Sequence, residues 1–205
     1  MTSSNIFEWT KILGTSVTDH GRALTTGLDG SIYIAGDTYG DLDGQSNSTG
    51  NDAFISKFNP DGTRDWTRLL GNSYGISGRA LTTGLDGSIY IAGGSNGEHD
   101  LGFGGVFISK FNPDGTEEWT SILGSSSSDA AYALTTGSDG SIYISGATHG
   151  DFDAQTNNGE WDAFISKFNP DGTKEWTRIL GSSSNDYGYA LTTGSDGSIY
   201  ISGAT

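Results

Sequence analysis

Short apolar runs alternate with polar turns along the whole chain, at a period that suits strands and no helix. From 132 to 181 four such runs follow one another: "YALTTG" (132–137), "SIYISG" (141–146), "AFISKFN" (163–169) and "KEWTRILG" (174–181). In the third, Phe164, Ser166 and Phe168 alternate with Ile165 and Lys167, so both faces carry apolar surface. That pattern is expected of a small sheet stacked between neighbours rather than facing water on one side. The first two runs are joined through "SDG" and the last two through "NPDG". Asp-Gly supplies a turn-favouring carboxylate and then a residue free to take positive φ, as tight hairpins require. All three prolines, Pro60, Pro113 and Pro170, stand in the same "FNPDGT" turn, and none falls in a strand.

The four runs recur. A "WT" motif places Trp9, Trp66, Trp119 and Trp176 at spacings of 57, 53 and 57 residues, and "ALTTG" repeats in step from Ala23, Ala80, Ala133 and Ala190. The short interval lies in one loop: Gly36 to Phe54 and Gly146 to Phe164 are 18 apart, but Gly93 to Phe107 only 14. Repeats of this length with four strands each predict an all-β chain, a β-propeller built of four-stranded antiparallel blades. A solenoid would repeat over fewer residues, and a sandwich would not repeat four times. The expected units are an outer strand within 7–22, complete blades over 23–70, 80–123 and 133–180, and the first two strands of a last blade over 190–205. "FEWTKILG" (7–14) is expected to be the outer strand of that split, incomplete fourth blade. Its third strand is expected from further repeats of a longer chain or from a second copy in a homo-oligomer. The repeated Trp residues are expected to pack between adjacent sheets with their indole N–H groups hydrogen-bonded.

Ten Lys and Arg against 25 Asp and Glu give a formal charge of −15, which argues against nucleic acid as a partner. The same balance suits cation-binding loops. Without cysteine there is neither a disulfide framework nor a Cys-based zinc site. No apolar run approaches the ~20 residues of a membrane helix, and "MTSSNIFEWT" lacks the basic and apolar regions of a signal peptide.

Residues 162–205, "DAFISKFNPDGTKEWTRILGSSSNDYGYALTTGSDGSIYISGAT", resemble the SBBP type of bacterial β-propeller repeat, and the likeness extends over essentially the whole chain. The resemblance implies a propeller within a multi-repeat bacterial protein that is secreted or held at the cell surface. It implies no catalytic residue. The register also resembles that of tryptophan-aspartate repeat propellers, which implies "ALTTG" innermost, "SIYISG" second, "FISKFN" third and "EWTRILG" outermost.

In such a blade the Asp-Gly turns share one face. The variable loops gather on the other, with many carboxylates and with Tyr39, Tyr74, His149, Trp161, Asp186 and Tyr187. A protein or glycan ligand is expected there, because loops on a rigid scaffold carry function. Two long loops, "DLDGQSNSTGND" (41–52) and "DFDAQTNNGEWD" (151–162), place oxygen-bearing side chains at positions 1, 3, 5, 7 and 12. Asp41, Asp43, Gln45, Asn47 and Asp52 form one set; Asp151, Asp153, Gln155, Asn157 and Asp162 form the other. Such oxygens suit Ca²⁺, although Ser46 or Thr156 replaces the usual glycine and Asp replaces the final Glu. A calcium-dependent, lectin-like propeller is therefore the alternative to a structural or adhesive scaffold. His20, His99 and His149 occupy different positions in different repeats, and no Ser-His-Asp or phosphate-loop pattern occurs. A hydrolase or lyase working through paired loop carboxylates such as Asp41 and Asp43 is the remaining alternative.

Overall fold

The computed structural model describes residues 9–48, 50–71, 75–95 and 104–205, and all regular structure among them is β. The first blade is β1 (Asp19–Thr26), β2 (Ile32–Thr38), β3 (Asp52–Phe58) and β4 (Arg64–Leu70). The second is β5 (Ile76–Thr83), β6 (Ile89–Ser95), β7 (Val106–Phe111) and β8 (Glu117–Leu123). The third is β9 (Asp129–Thr136), β10 (Ile142–Thr148), β11 (Asp162–Phe168) and β12 (Lys174–Leu180). A two-stranded sheet follows, β13 (Tyr187–Thr193) with β14 (Ile199–Ala204). Each blade is an antiparallel meander in chain order, and the first strands β1, β5, β9 and β13 lie side by side at the centre. This is a β-propeller, with small Ala and Thr side chains where the strands crowd together.

A repeated lock joins the blades. The indole N–H groups of Trp9, Trp66 and Trp119 each donate to a carbonyl in the next Asn-Pro-Asp-Gly turn, that of Pro60, Pro113 and Pro170 respectively, at 3.1 Å. The turn glycine lies against the indole face. A Cβ on Gly62, Gly115 or Gly172 would come 2.6, 2.7 or 2.8 Å from the ring, and all three residues have positive φ. The turn therefore needs Gly for two reasons at once, its backbone conformation and the ring packed upon it. Within each blade a hydroxyl pair ties the third strand to the fourth: Ser56 to Thr67 at 2.8 Å, Ser109 to Thr120 at 2.6 Å and Ser166 to Thr177 at 2.8 Å, the first and last of them buried.

Two bulges interrupt every complete blade. In the fourth strand the extra residue is Asp65, Glu118 or Glu175. Its carboxylate reaches the third-strand lysine, Lys57, Lys110 or Lys167, whose ammonium also lies 5.9–6.0 Å over Tyr33, Tyr90 or Tyr143. Burial raises the Tyr90 pKa to about 12, against the pull of Lys110. In the first strand the extra residue is Arg22, Arg79 or Tyr132, and Tyr189 stands at the same place in β13.

One expectation differs. Residues 9–14 carry no strand, although their sequence matches the outer strands of the other units. A strand exists through its ladder partner, and among the described residues no strand pairs with this segment. Trp9 is nevertheless in place on the Pro60 turn and stacks with Phe58 at 6.4 Å.

Candidate functional site

The two Asp-Gly turns of a blade lie on one face, as the approach of Gly30 to Pro60 and of Gly140 to Pro170 shows. The longer loops occupy the other face, and there the bulged first-strand residues and the third loop make a continuous row. The Arg79 guanidinium lies 5.6 Å over the Tyr132 ring, and Tyr132 meets Tyr189 at 5.3 Å. Tyr189 stacks almost parallel on Tyr187 at 5.5 Å, Tyr187 lies 6.3 Å from Trp161, and Trp161 meets His149 edge-on at 5.3 Å. Tyr189 is 52% exposed, and His149 is exposed at the outer end. A first-strand bulge re-aims one side chain without disturbing the flanking ladder, which is how Tyr132 and Tyr189 come to face one another. Burial pushes the Tyr132 phenol up despite Arg79 beside it. The Arg79 Nε is buried and without a hydrogen-bond partner among the described residues.

Of the residues expected on this face, His149, Trp161 and Tyr187 are brought together in the row. Tyr39 is exposed on the first blade. Asp186 is buried and engaged by the Ser182 backbone N–H at 2.7 Å and its hydroxyl at 3.0 Å. Tyr74 lies outside the described residues. Sequence reasoning passed over Arg79, Tyr132 and Tyr189. Their signal was the residue before each "ALTTG", which varies as Arg, Arg, Tyr, Tyr between near-constant neighbours.

The two sets of loop oxygens are directed into the loops themselves. Asp41 accepts the Asn47 backbone N–H at 2.9 Å, and Asp151 accepts that of Asn157 at the same distance. Asp43 pairs with Arg64 and accepts the Thr67 hydroxyl, while Asp153 pairs with Lys174. Gln45 and Gln155 each span the fourth strand, donating to Thr67 or Thr177 and accepting from Leu69 or Ile179. Asn47 and Asn157 donate to the carbonyls of Thr38 and Thr148 at 2.9 Å. Asp52 accepts from the Ser48 N–H and hydroxyl, and Asp162 from the Asn158 N–H at 2.7 Å. Among the described residues no group of three or more His, Asp or Glu side chains is placed to hold a metal ion.

The first blade carries a separate ion group. Asp37 is buried, accepts from Arg22 Nε and meets His20 Nδ1 at 2.9 Å. Gly94, Ala147 and Ala204 stand at the corresponding positions of the other units.

Comparison with known proteins agrees with the fold. A family model described as "Domain of unknown function (DUF5122) beta-propeller" matches residues 28–67 and 137–175. The regulatory protein FlaEY of Caulobacter vibrioides is 29% identical over 190 residues, covering 80% of this chain and 20% of that protein. The chain thus spans about one-fifth of the length of that relative. Among solved structures, a catalytically inactive virginiamycin B lyase from Staphylococcus aureus with quinupristin superposes with a TM-score of 0.60 at 19% identity. The match covers 94% of this chain and 52% of that one. A protein of unknown function from Bacteroides caccae gives 0.56 at 10% identity, covering 89% and 53%. At these identities the likeness is one of fold. The chain is a β-propeller protein, and among its described residues there is no helix long and apolar enough to cross a membrane.

Proposed function

We propose that this chain is a non-catalytic propeller module of a bacterial secreted or cell-surface protein, a scaffold whose loop face binds a glycan. The observation that carries the reading is the row from Tyr132 through Tyr189 and Tyr187 to Trp161, built across the junction of two blades and open at Tyr189. Aromatic faces take the apolar face of a sugar ring, and the Arg79 and His149 nitrogens at the two ends suit its hydroxyls. The secreted or surface setting rests on the resemblance of residues 162–205 to SBBP-type repeats. A non-catalytic role is supported by what occupies the polar side chains: the loop carboxylates hold turns together, and Arg22 pairs with the buried Asp37.

A glycan array probed with the purified chain tests the reading. Binding is expected to a subset of glycans, and Tyr189→Ala or Trp161→Ala should weaken it by about tenfold, the equivalent of ~1.4 kcal/mol per ring contact. Uniform absence of binding overturns the ligand and leaves a scaffold alone.

A further inference from the structure

We infer that the Arg79 end of the aromatic row is a carboxylate site, and that the glycan held on this face carries a uronic acid. The inference rests on the glycan reading and narrows it to acidic glycans.

The first blade shows such a site filled from within. Its bulged residue Arg22 donates through Nε to Asp37, the buried carboxylate that faces His20 across the β1–β2 ladder. The second blade repeats the backbone and half of the chemistry. Arg79 is bulged at the same point of β5, but Ser77 stands in place of His20 and Gly94 in place of Asp37. The guanidinium is kept and its anion is missing. Arg79 Nε, the atom that Arg22 gives to Asp37, is buried with no acceptor among the described residues. A buried donor left unmet is unfavourable, and more so on a charged group.

The other Lys and Arg side chains of the strands are occupied. The third-strand lysines, Arg22, Arg64 and Lys174 pair with carboxylates, whereas Arg68 and Arg178 donate to backbone carbonyls. In a chain of formal charge −15, a strand arginine without a carboxylate is the exception.

There is room for an anion beside it. The nearest atom that a Cβ on Gly94 would meet is the Asp129 carbonyl oxygen at 3.7 Å, an ordinary contact. Arg79 is only part-buried, and its guanidinium lies 5.6 Å over the Tyr132 ring, which continues to Tyr189. A sugar ring stacked on the tyrosines therefore brings a carboxyl group on its edge to the guanidinium. The planar fork matches a carboxylate through two parallel N–H···O bonds. A polymer dense in sulfate or phosphate is disfavoured, because the surrounding charge repels it.

The test titrates the purified chain with galacturonate, glucuronate and mannuronate oligosaccharides, each beside its carboxyl-reduced neutral counterpart and a sulfated form of that counterpart. At least one uronate should bind about tenfold more tightly than its neutral counterpart, the value of a charge-assisted hydrogen-bonded pair. Arg79→Gln should bring the two affinities together. Gly94→Asp should do the same by supplying the anion from within, as Asp37 does for Arg22. Circular dichroism checks that both variants fold; where Gly94→Asp does not, Arg79→Gln decides alone. Equal binding of acidic and neutral sugars overturns this inference and leaves the glycan reading standing. A preference for the acid that survives Arg79→Gln also overturns it, because the acid then sits elsewhere. Sulfated forms binding as tightly as the uronates overturn the carboxylate assignment. Binding of no sugar at all, in this panel or on the array, removes the glycan reading and this inference with it.

Discussion

Trp66 of the first blade donates its indole N–H to the carbonyl of Pro113 in the second at 3.1 Å, while the same ring covers Gly115 of that turn. A side chain of one repeat is thereby completed by the backbone of the next. Substitution separates the two parts of this lock. Trp66→Phe removes the hydrogen bond and should cost about 1 kcal/mol, whereas Trp66→Ala also empties the packing and should cost about 3–5 kcal/mol. Chemical denaturation followed by circular dichroism measures both, and equal losses for the two variants would contradict the division.

Asp162 and Asp52 hold equivalent places in their loops but are not equally satisfied. Both Asp52 oxygens accept from Ser48, whereas Asp162 Oδ1 is buried with no partner among the described residues, because Asn158 stands where Ser48 does. Asn158→Ser supplies the missing hydroxyl. It should stabilise the chain by about 1 kcal/mol and raise the melting temperature by roughly 2–4 °C. A calorimetric scan that shows no gain rules the hydroxyl out as the remedy.

Acid should unfold the protein through its turn aspartates. The backbone N–H groups of Ser31, Ser141 and Ser198 hold the carboxyls of Asp29, Asp139 and Asp196 below the usual 3.8, and the Thr63, Thr116 and Thr173 hydroxyls and N–H groups do the same for Asp61, Asp114 and Asp171. A lowered folded-state pKa contributes stability that is complete above the unfolded value and is lost as pH falls through the lowered one. Asp129 works in the opposite sense, since burial raises its pKa and its contribution is lost as pH rises through the raised value. With the lowered turn carboxyls, Asp86 among them, outnumbering Asp129, the melting temperature should hold steady near neutrality and fall below about pH 4. Asp129→Asn should flatten only the part of the profile above that point.

Calcium should leave the fold unchanged. Asp41, Asp43, Asp151 and Asp153 already accept hydrogen bonds or pair with Arg64 and Lys174, so a cation would have to break loop contacts before binding. Melting curves with millimolar Ca²⁺ and with EDTA should superimpose. A rise with calcium that Asp151→Ala abolishes would restore the cation reading of these loops.

Much of the architecture was legible because strand period, Asp-Gly turns and repeat spacing reinforce one another. The "FNPDGT" prolines and the repeated Trp even marked both halves of the blade-to-blade lock, although not that they touch. The bulges were not legible. An extra residue before "ALTTG" leaves the apolar alternation that follows unchanged, so Arg79, Tyr132 and Tyr189 read as ordinary strand positions. The role of the loop oxygens was not legible for a chemical reason: a residue that ligates calcium and a residue that caps a turn are the same acceptor, told apart only by what lies opposite. Residues 9–14 read as a strand because local sequence records preference, whereas a ladder needs a neighbour.

The first-strand bulge has an evolutionary corollary. Because its residue stands outside the pairing ladder, each repeat carries one address that can be rewritten without renegotiating the fold. Arg22, Arg79, Tyr132 and Tyr189 then form a short variable text around the centre of a constant frame. Duplication supplies new repeats already able to stack, and mutation at a single position gives each its own chemistry.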